Sequence, residues 1–78
     1  MMKINLLIFG QLTDDIGSSK LELEEIADTD TLHHILLHRY PSLKDRKFTI
    51  AVDAKLITTN TSLTDHSTVA LMPPFSGG

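Results

Sequence analysis

From Met2 onward, apolar residues occupy every second position: Met2, Ile4, Leu6 and Ile8 share one face, with Lys3 and Asn5 opposite. This period of two predicts a β-strand over residues 2–9. The opposite face turns apolar at Leu7 and Phe9, so that end of the strand is either covered on both sides or part of a contact surface. Gln11 to Ile16 fits a short helical turn stopped by Gly17. Residues 19–25 alternate again, Leu21 and Leu23 against Lys20, Glu22 and Glu24, and read as a second strand, hairpin-like after the first. Asp28, Thr29, Asp30 and Thr31 are N-cap candidates for a helix from about Leu32 to Tyr40. Its stripe is Leu32, Ile35, Leu36 and Tyr40, with Leu37 at the edge, and Pro41 is its stop.

A third strand is expected over Lys47–Asp53, with Phe48, Ile50 and Val52 inward and Thr49 and Ala51 outward. A turn near Asp53 and Ala54 leads to a very short strand at Leu56–Ile57. Residues 58–62 are polar and turn-rich. In the last strand Val69 and Leu71 face inward and Ala70 and Met72 outward, until Pro73 and Pro74 end it. Strand, strand, helix, strand, short strand, strand is an α+β order. One helix covers only one face of so small a sheet. The pattern fits a β-grasp (ubiquitin-like) roll, a mixed sheet of four to five strands with one main helix packed on one face. Residues 1–78 are expected to form a single domain, with 73–78 as a flexible functional tail.

Composition narrows the chemistry. The 78 residues carry a formal net charge of −3, with no Lys/Arg run and no Trp. This argues against nucleic acid or an anionic membrane as the main partner. Absence of cysteine removes disulfides, thiolate nucleophiles, persulfide chemistry on this chain and Cys-rich metal sites. The longest apolar-rich segment, Met2 to Phe9, is too short to span a bilayer, and the N-terminus lacks the features of a secretory signal. A cytoplasmic protein is expected.

The chemistry points to the end of the chain, Pro73-Pro74-Phe75-Ser76-Gly77-Gly78. A C-terminal carboxylate is a poor electrophile until it becomes an acyl-adenylate or similar mixed anhydride. An enzyme making one admits the tail into a narrow site, and glycines permit the close backbone approach. The prolines stiffen the exit and lower the cost of ordering it in a partner.

The ending Val69-Ala-Leu-Met-Pro-Pro-Phe-Ser-Gly-Gly78 resembles that of the small subunit of molybdopterin synthase, a family that closes on a strand followed by Pro-Pro-x-Ser/Thr-Gly-Gly. The resemblance continues through Phe9-Gly10-Gln11, Gly17, Thr31-Leu32, Tyr40-Pro41-x-Leu43 and Leu63-Thr64-Asp65. Two turns depart from the family: Asp65-His66-Ser67-Thr68-Val69 stands for its Asp-Gly-Asp-Glu-Val, and Asp53 for its Asn. The resemblance implies that the Gly78 carboxylate is adenylated and becomes a thiocarboxylate, which donates sulfur to the cyclic pyranopterin monophosphate precursor in molybdenum cofactor biosynthesis. It implies a subunit with no catalytic side chains of its own and no permanently bound cofactor, ATP being used by an adenylating activating enzyme. Its partners would be that enzyme, a sulfur donor system and the large synthase subunit, in a heterotetramer. Phe9, Leu56 and Met72 match apolar contacts to the large subunit, and Pro73, Pro74, Phe75, Ser76 and Gly77 the tail that enters it. Parity agrees for two of these: if the terminal strands are neighbours, Phe9 and Met72 share one exposed patch beside the tail. A sulfur carrier for thiamine thiazole synthesis, another ubiquitin-like carrier or modifier, and a non-catalytic β-grasp interaction module are the alternatives.

Other residues invite less. His33, His34 and His38 point away from the helix's apolar stripe and are expected to be solvated rather than metal-binding, as is His66 in a turn. The adjacent acids Asp14/Asp15 and Glu24/Glu25 diverge on a helix or strand. Gly10 and Gly17 read as turn glycines without a phosphate-loop pattern, and Ser76 has no recognisable His–acid pair.

Overall fold

The computed structural model describes residues 2–74. Strand β1 (Lys3–Ile8) is followed by helix α1 (Leu12–Ile16), β2 (Lys20–Glu24), helix α2 (Thr29–Arg39), a 3-10 helix (Pro41–Asp45), β3 (Thr49–Val52), β4 (Lys55–Ile57) and β5 (Thr68–Met72). The five strands form one mixed sheet in the order β2-β1-β5-β3-β4. Strands β1 and β5 are parallel neighbours at its centre and the other pairs are antiparallel.

The register explains the core. Ile8, Leu71, Ile50 and Ile57 align across four strands, and Leu21, Leu6, Val69 and Val52 form the adjacent inward row. From α2, Leu32 and Leu36 are fully buried against this face, joined by Leu12, Ile16, Ile26, Leu43 and Leu63. Burial of each such side chain contributes about 1.5–3 kcal/mol, which carries a fold without disulfides.

Helix α2 begins three residues before the expected Leu32, because the polar segment after β4 serves as its cap. The Asp28 carboxylate accepts from the Thr31 N–H at 2.9 Å, Asn60 Oδ1 accepts from the Asp30 N–H at 2.9 Å, and the Thr61 carbonyl accepts from the Thr29 N–H at 2.9 Å. Three otherwise orphaned N–H groups are thereby satisfied. Buried Thr29 returns one bond, its Oγ1 accepting from the Thr61 N–H at 2.9 Å. The helix ends one residue before the expected Tyr40.

The 3-10 helix after Pro41 was not in the expected pattern; it places Leu43, 1% exposed, into the core. Strand β3 is shorter than the expected Lys47–Asp53. Phe48, expected inward on that strand, instead lies half-buried before it, packed at the core's rim with its ring 5.4 Å from that of His33. Ala51 faces outward by register yet is buried, a small side chain between Ala70 and Leu56.

The two atypical turns are built on non-glycine residues at positive φ. Asp53 and Ala54 both take positive φ, 49° and 71°, as a two-residue type I′ hairpin loop requires. Asp53 also fastens the loop to β5: its N–H donates to the Thr68 carbonyl at 2.8 Å and its carboxylate accepts the Thr68 N–H at 2.9 Å. His66, where the family pattern has glycine, sits at φ 68°. Its N–H donates to the Lys3 carbonyl at 2.7 Å and that of Ser67 to the Thr64 carbonyl at 3.0 Å.

Candidate functional site

The face of the sheet turned away from α2 carries the candidate surface. Parallel pairing of β1 with β5 sets Leu7 beside Ala70; antiparallel pairing then sets Ala70 beside Ala51 and Ala51 beside Leu56. These four residues make an apolar row across four strands. The next row toward the tail contains Met72 opposite Thr49, with Phe9 level beside it, since the Phe9 N–H donates to the Leu71 carbonyl at 3.0 Å. Among the described residues, Phe9 and Leu56 are the large hydrophobic residues left exposed, at 47% and 68%. Met72 is half-buried. Together with Leu7, Ala70, Ala51 and Met72, Phe9 and Leu56 form a contiguous apolar surface, the kind that marks an interaction site.

Polar residues bound this surface. Lys20 pairs with Leu7 at its β2 edge, and the row on the side remote from the tail holds Glu22, Asn5 and Thr68. The surface is therefore apolar toward the tail and polar elsewhere, the arrangement of a small interface core with a rim.

Of the residues expected at the site, the structure brings Phe9, Leu56 and Met72 to one face, with Pro73 and Pro74 following directly from β5, both exposed. Phe75, Ser76, Gly77 and Gly78 lie outside the described residues. Gly10, a turn glycine within the Phe9-Gly10-Gln11 segment, lies against the Pro73 ring. Its signal was the register itself: pairing of Ile8 with Leu71 brings residue 10 level with residue 73, but the sequence does not state which partner a strand chooses.

Among the described residues no three His, Cys, Asp or Glu side chains converge as a metal would need. His34 and His38 are exposed. His33 is exposed too, yet it tilts against Phe48 and lines an open groove of about 250 Å³ with Asp30, Thr58 and Asn60. Hydrogen bonds hold two exposed carboxylates below the ordinary aspartate range: Asp28 through the Thr31 side chain and N–H and then Asn60, and Asp65 through the Lys3 N–H. Neither faces the apolar rows, and both serve turns and caps. Among the described residues no helix is long and apolar enough to cross a membrane.

Residues 6–78 match the model of the ThiS family. A Pyrococcus furiosus protein assigned as molybdopterin converting factor, subunit 1, superposes with a TM-score of 0.85 at 21% identity, covering 95% of this chain and 99% of that one. Small archaeal modifier protein 1 from Methanosarcina acetivorans superposes at 0.81 and 21% identity, covering 100% and 98%. These two establish the ubiquitin-like β-grasp fold. A third structure is the protein–protein complex of subunits 1 and 2 of molybdopterin-converting factor from Helicobacter pylori, similar at 29% identity with a TM-score of 0.73, covering 99% of this chain and 100% of that one.

Proposed function

The chain belongs to the ThiS family of ubiquitin-like sulfur carriers, and from its likeness to subunit 1 of molybdopterin-converting factors we propose that it is the small, sulfur-carrying subunit of a molybdopterin synthase. The carrier chemistry resides in the Gly78 carboxylate. One of its oxygens attacks the α-phosphorus of ATP on an adenylating activating enzyme, expelling pyrophosphate and leaving an acyl-adenylate. The outer sulfur of a persulfide on the donor system then attacks the carbonyl carbon and expels AMP, and a second donor thiol attacks the inner sulfur, leaving a disulfide on the donor and a thiocarboxylate on Gly78. On the large synthase subunit the thiocarboxylate sulfur is transferred to the cyclic pyranopterin monophosphate precursor. Two carriers supply the two sulfurs of the dithiolene, in a heterotetramer with the large subunits at its centre. ATP is consumed by the partner enzyme and is not a resident of this chain.

The observation that carries this reading is the apolar surface at the root of the tail. Phe9, Met72 and Leu56 lie on the face from which Pro73 and Pro74 depart, so a partner gripping that face receives the tail beside it. The likeness to the Helicobacter pylori two-subunit complex over the whole chain supports the large subunit as that partner.

The test is reconstitution. Chain isolated from its native cell during cofactor synthesis is expected to contain a species heavier by one oxygen-to-sulfur exchange at Gly78. That species, with a large synthase subunit, is expected to convert the pyranopterin precursor. Conversion in a thiazole-forming system and not in this one would place the chain in thiamine synthesis, and attachment to lysines of other proteins would make it a modifier.

A further inference from the structure

We propose that Gly10 is a positioning residue for the tail: it forms the seat on which Pro73 rests, and that seat sets the direction in which the last residues leave the sheet. The inference rests on the carrier reading for its use, but its geometry stands alone.

Gly10 has φ +63°, and a Cβ built on it would lie 2.5 Å from Pro73 Cγ and 3.2 Å from Pro73 Cδ. Carbon atoms do not approach so closely, so the proline ring occupies the space that any other residue at position 10 would fill. The ring itself is stiff and cannot turn aside as a long side chain would.

Gly10 is also held from its other sides. Before it, the Phe9 N–H donates to the Leu71 carbonyl at 3.0 Å, extending the parallel ladder to the edge of the seat. After it, the Gly10 carbonyl accepts from the Thr13 hydroxyl at 2.8 Å and from the Thr13 N–H at 3.2 Å. Thr13 belongs to α1, which is anchored by buried Leu12 and Ile16. An ionic brace adds to this: Arg46 Nε donates to Asp15 at 2.8 Å and Arg46 Nη1 to Gln11 Oε1 at 3.0 Å. A methyl group at position 10 would therefore displace Pro73 rather than the turn. Pro73 has no N–H with which to continue the β5 ladder, so the ring's contact with Gly10 takes over the guiding role at the point where strand pairing stops.

Gly17 supplies the internal control. Its φ is +83°, but a Cβ there meets nothing within 4 Å. Gly17→Ala thus imposes the left-handed backbone penalty alone, whereas Gly10→Ala imposes the same penalty and the collision with Pro73. Pro73→Ala removes the ring while leaving Gly10 unstrained, and serves if Gly10→Ala fails to fold.

Two readouts decide the matter. The chain has no cysteine, so Ser76→Cys gives a unique site for a nitroxide label, whose paramagnetic broadening of amide signals in the folded body maps where the tail points. The broadened set is expected to change in the Gly10→Ala and Pro73→Ala backgrounds and to stay the same with Gly17→Ala. In unlabelled chains, ATP–pyrophosphate exchange with the cognate activating enzyme is expected to lose on the order of 10-fold to 100-fold in kcat for the first two variants. KM, set by docking of the body, should be preserved, and Gly17→Ala should retain both constants. An unchanged broadening map in folded Gly10→Ala and Pro73→Ala would overturn the seat, and a changed map with unchanged kcat would overturn its role in delivery. Failure of the wild-type chain to support any exchange would instead count against the carrier reading, with the broadening map still deciding whether Gly10 aims the tail.

Discussion

Leu56→Ala separates docking from folding more cleanly than any other substitution on the outer face. Leu56 lies on β4, the sheet's edge strand, and is 68% exposed. Complete burial of a leucine is worth about 1.5–3 kcal/mol. About two-thirds of that remains to be gained when a partner covers Leu56, so truncation should cost roughly 1–2 kcal/mol of binding. The dissociation constant for the large synthase subunit should then rise about 5-fold to 30-fold, mainly through faster dissociation, because no charge is altered. Phe9, at 47% exposed, has less left to gain relative to its size. It lies across the sheet from Leu56, so Phe9→Ala and Leu56→Ala should be nearly additive.

Stability should respond little, since the native chain covers only about a third of Leu56. The assay is titration calorimetry of each variant with the large subunit, paired with thermal unfolding of the carrier alone. Unchanged affinity in a folded Leu56→Ala chain would remove Leu56 from the interface. A marked loss of thermal stability would show that Leu56 packs against its own chain more than its exposure allows.

Two further outcomes follow from the turns and caps. Ala54 holds φ 71° in the second position of a type I′ loop, where an L-residue loses about 1–2 kcal/mol and glycine is limited by about 0.5–1 kcal/mol of chain entropy; Ala54→Gly should stabilise the fold by about 0.5–1 kcal/mol and raise Tm by about 2–8 °C, and a lowered Tm in a calorimetric scan would contradict the turn assignment. Asp28 and Asp65 have carboxylates held below their ordinary range by hydrogen bonds, so their contribution is fully present above the unfolded pKa of about 4 and is lost as pH falls through the folded value. Asp28→Asn keeps an oxygen for the Thr31 N–H but carries no proton linkage, so its urea midpoint should fall less steeply than wild type below about pH 4; equal slopes would show that Asp28 does not titrate with folding.

What the sequence discloses is what periodicity and chemistry encode locally. The inward rows follow from alternation in residues 2–9 and 68–72, and the buried stripe of α2 from Leu32 and Leu36. The proposed chemistry of the tail draws on Pro-Pro and Gly-Gly, a pairing unusual in type and order. What the sequence hides is pairing. Two of the three capped N–H groups at the start of α2, those of Thr29 and Asp30, are satisfied by Thr61 and Asn60, about 30 positions away, so Thr29 to Thr31 look like caps until those residues are placed beside them. Phe48 looks like the first inward residue of a strand because its neighbours alternate, yet strand pairing with β5 begins only at Thr49. Gly10 falls in the Phe9-Gly10-Gln11 segment of the family resemblance, but its contact with Pro73 follows only once β1 and β5 are parallel neighbours.

The same pairing accounts for a face that tolerates being uncovered and still serves a partner. Between Leu7 and Leu56 its central row holds two alanines, Ala70 and Ala51. Alanine adds little apolar area, and Ala51 is already buried by its neighbours, so the middle of the face demands no permanent cover. The larger apolar groups, Phe9 and Leu56, stand to either side of it, with Met72 half-buried beside the tail's root. Each offers at most about 1–2 kcal/mol on burial, enough together for specific docking and too little for an obligate interface. In the proposed cycle the carrier must dock on the synthase subunit and leave it again once its sulfur is transferred. An extended hydrophobic face would hold that partner too long; a polar one would not hold it. A shallow alanine floor with a few exposed side chains, next to a tail aimed by Gly10 and Pro73, meets both demands.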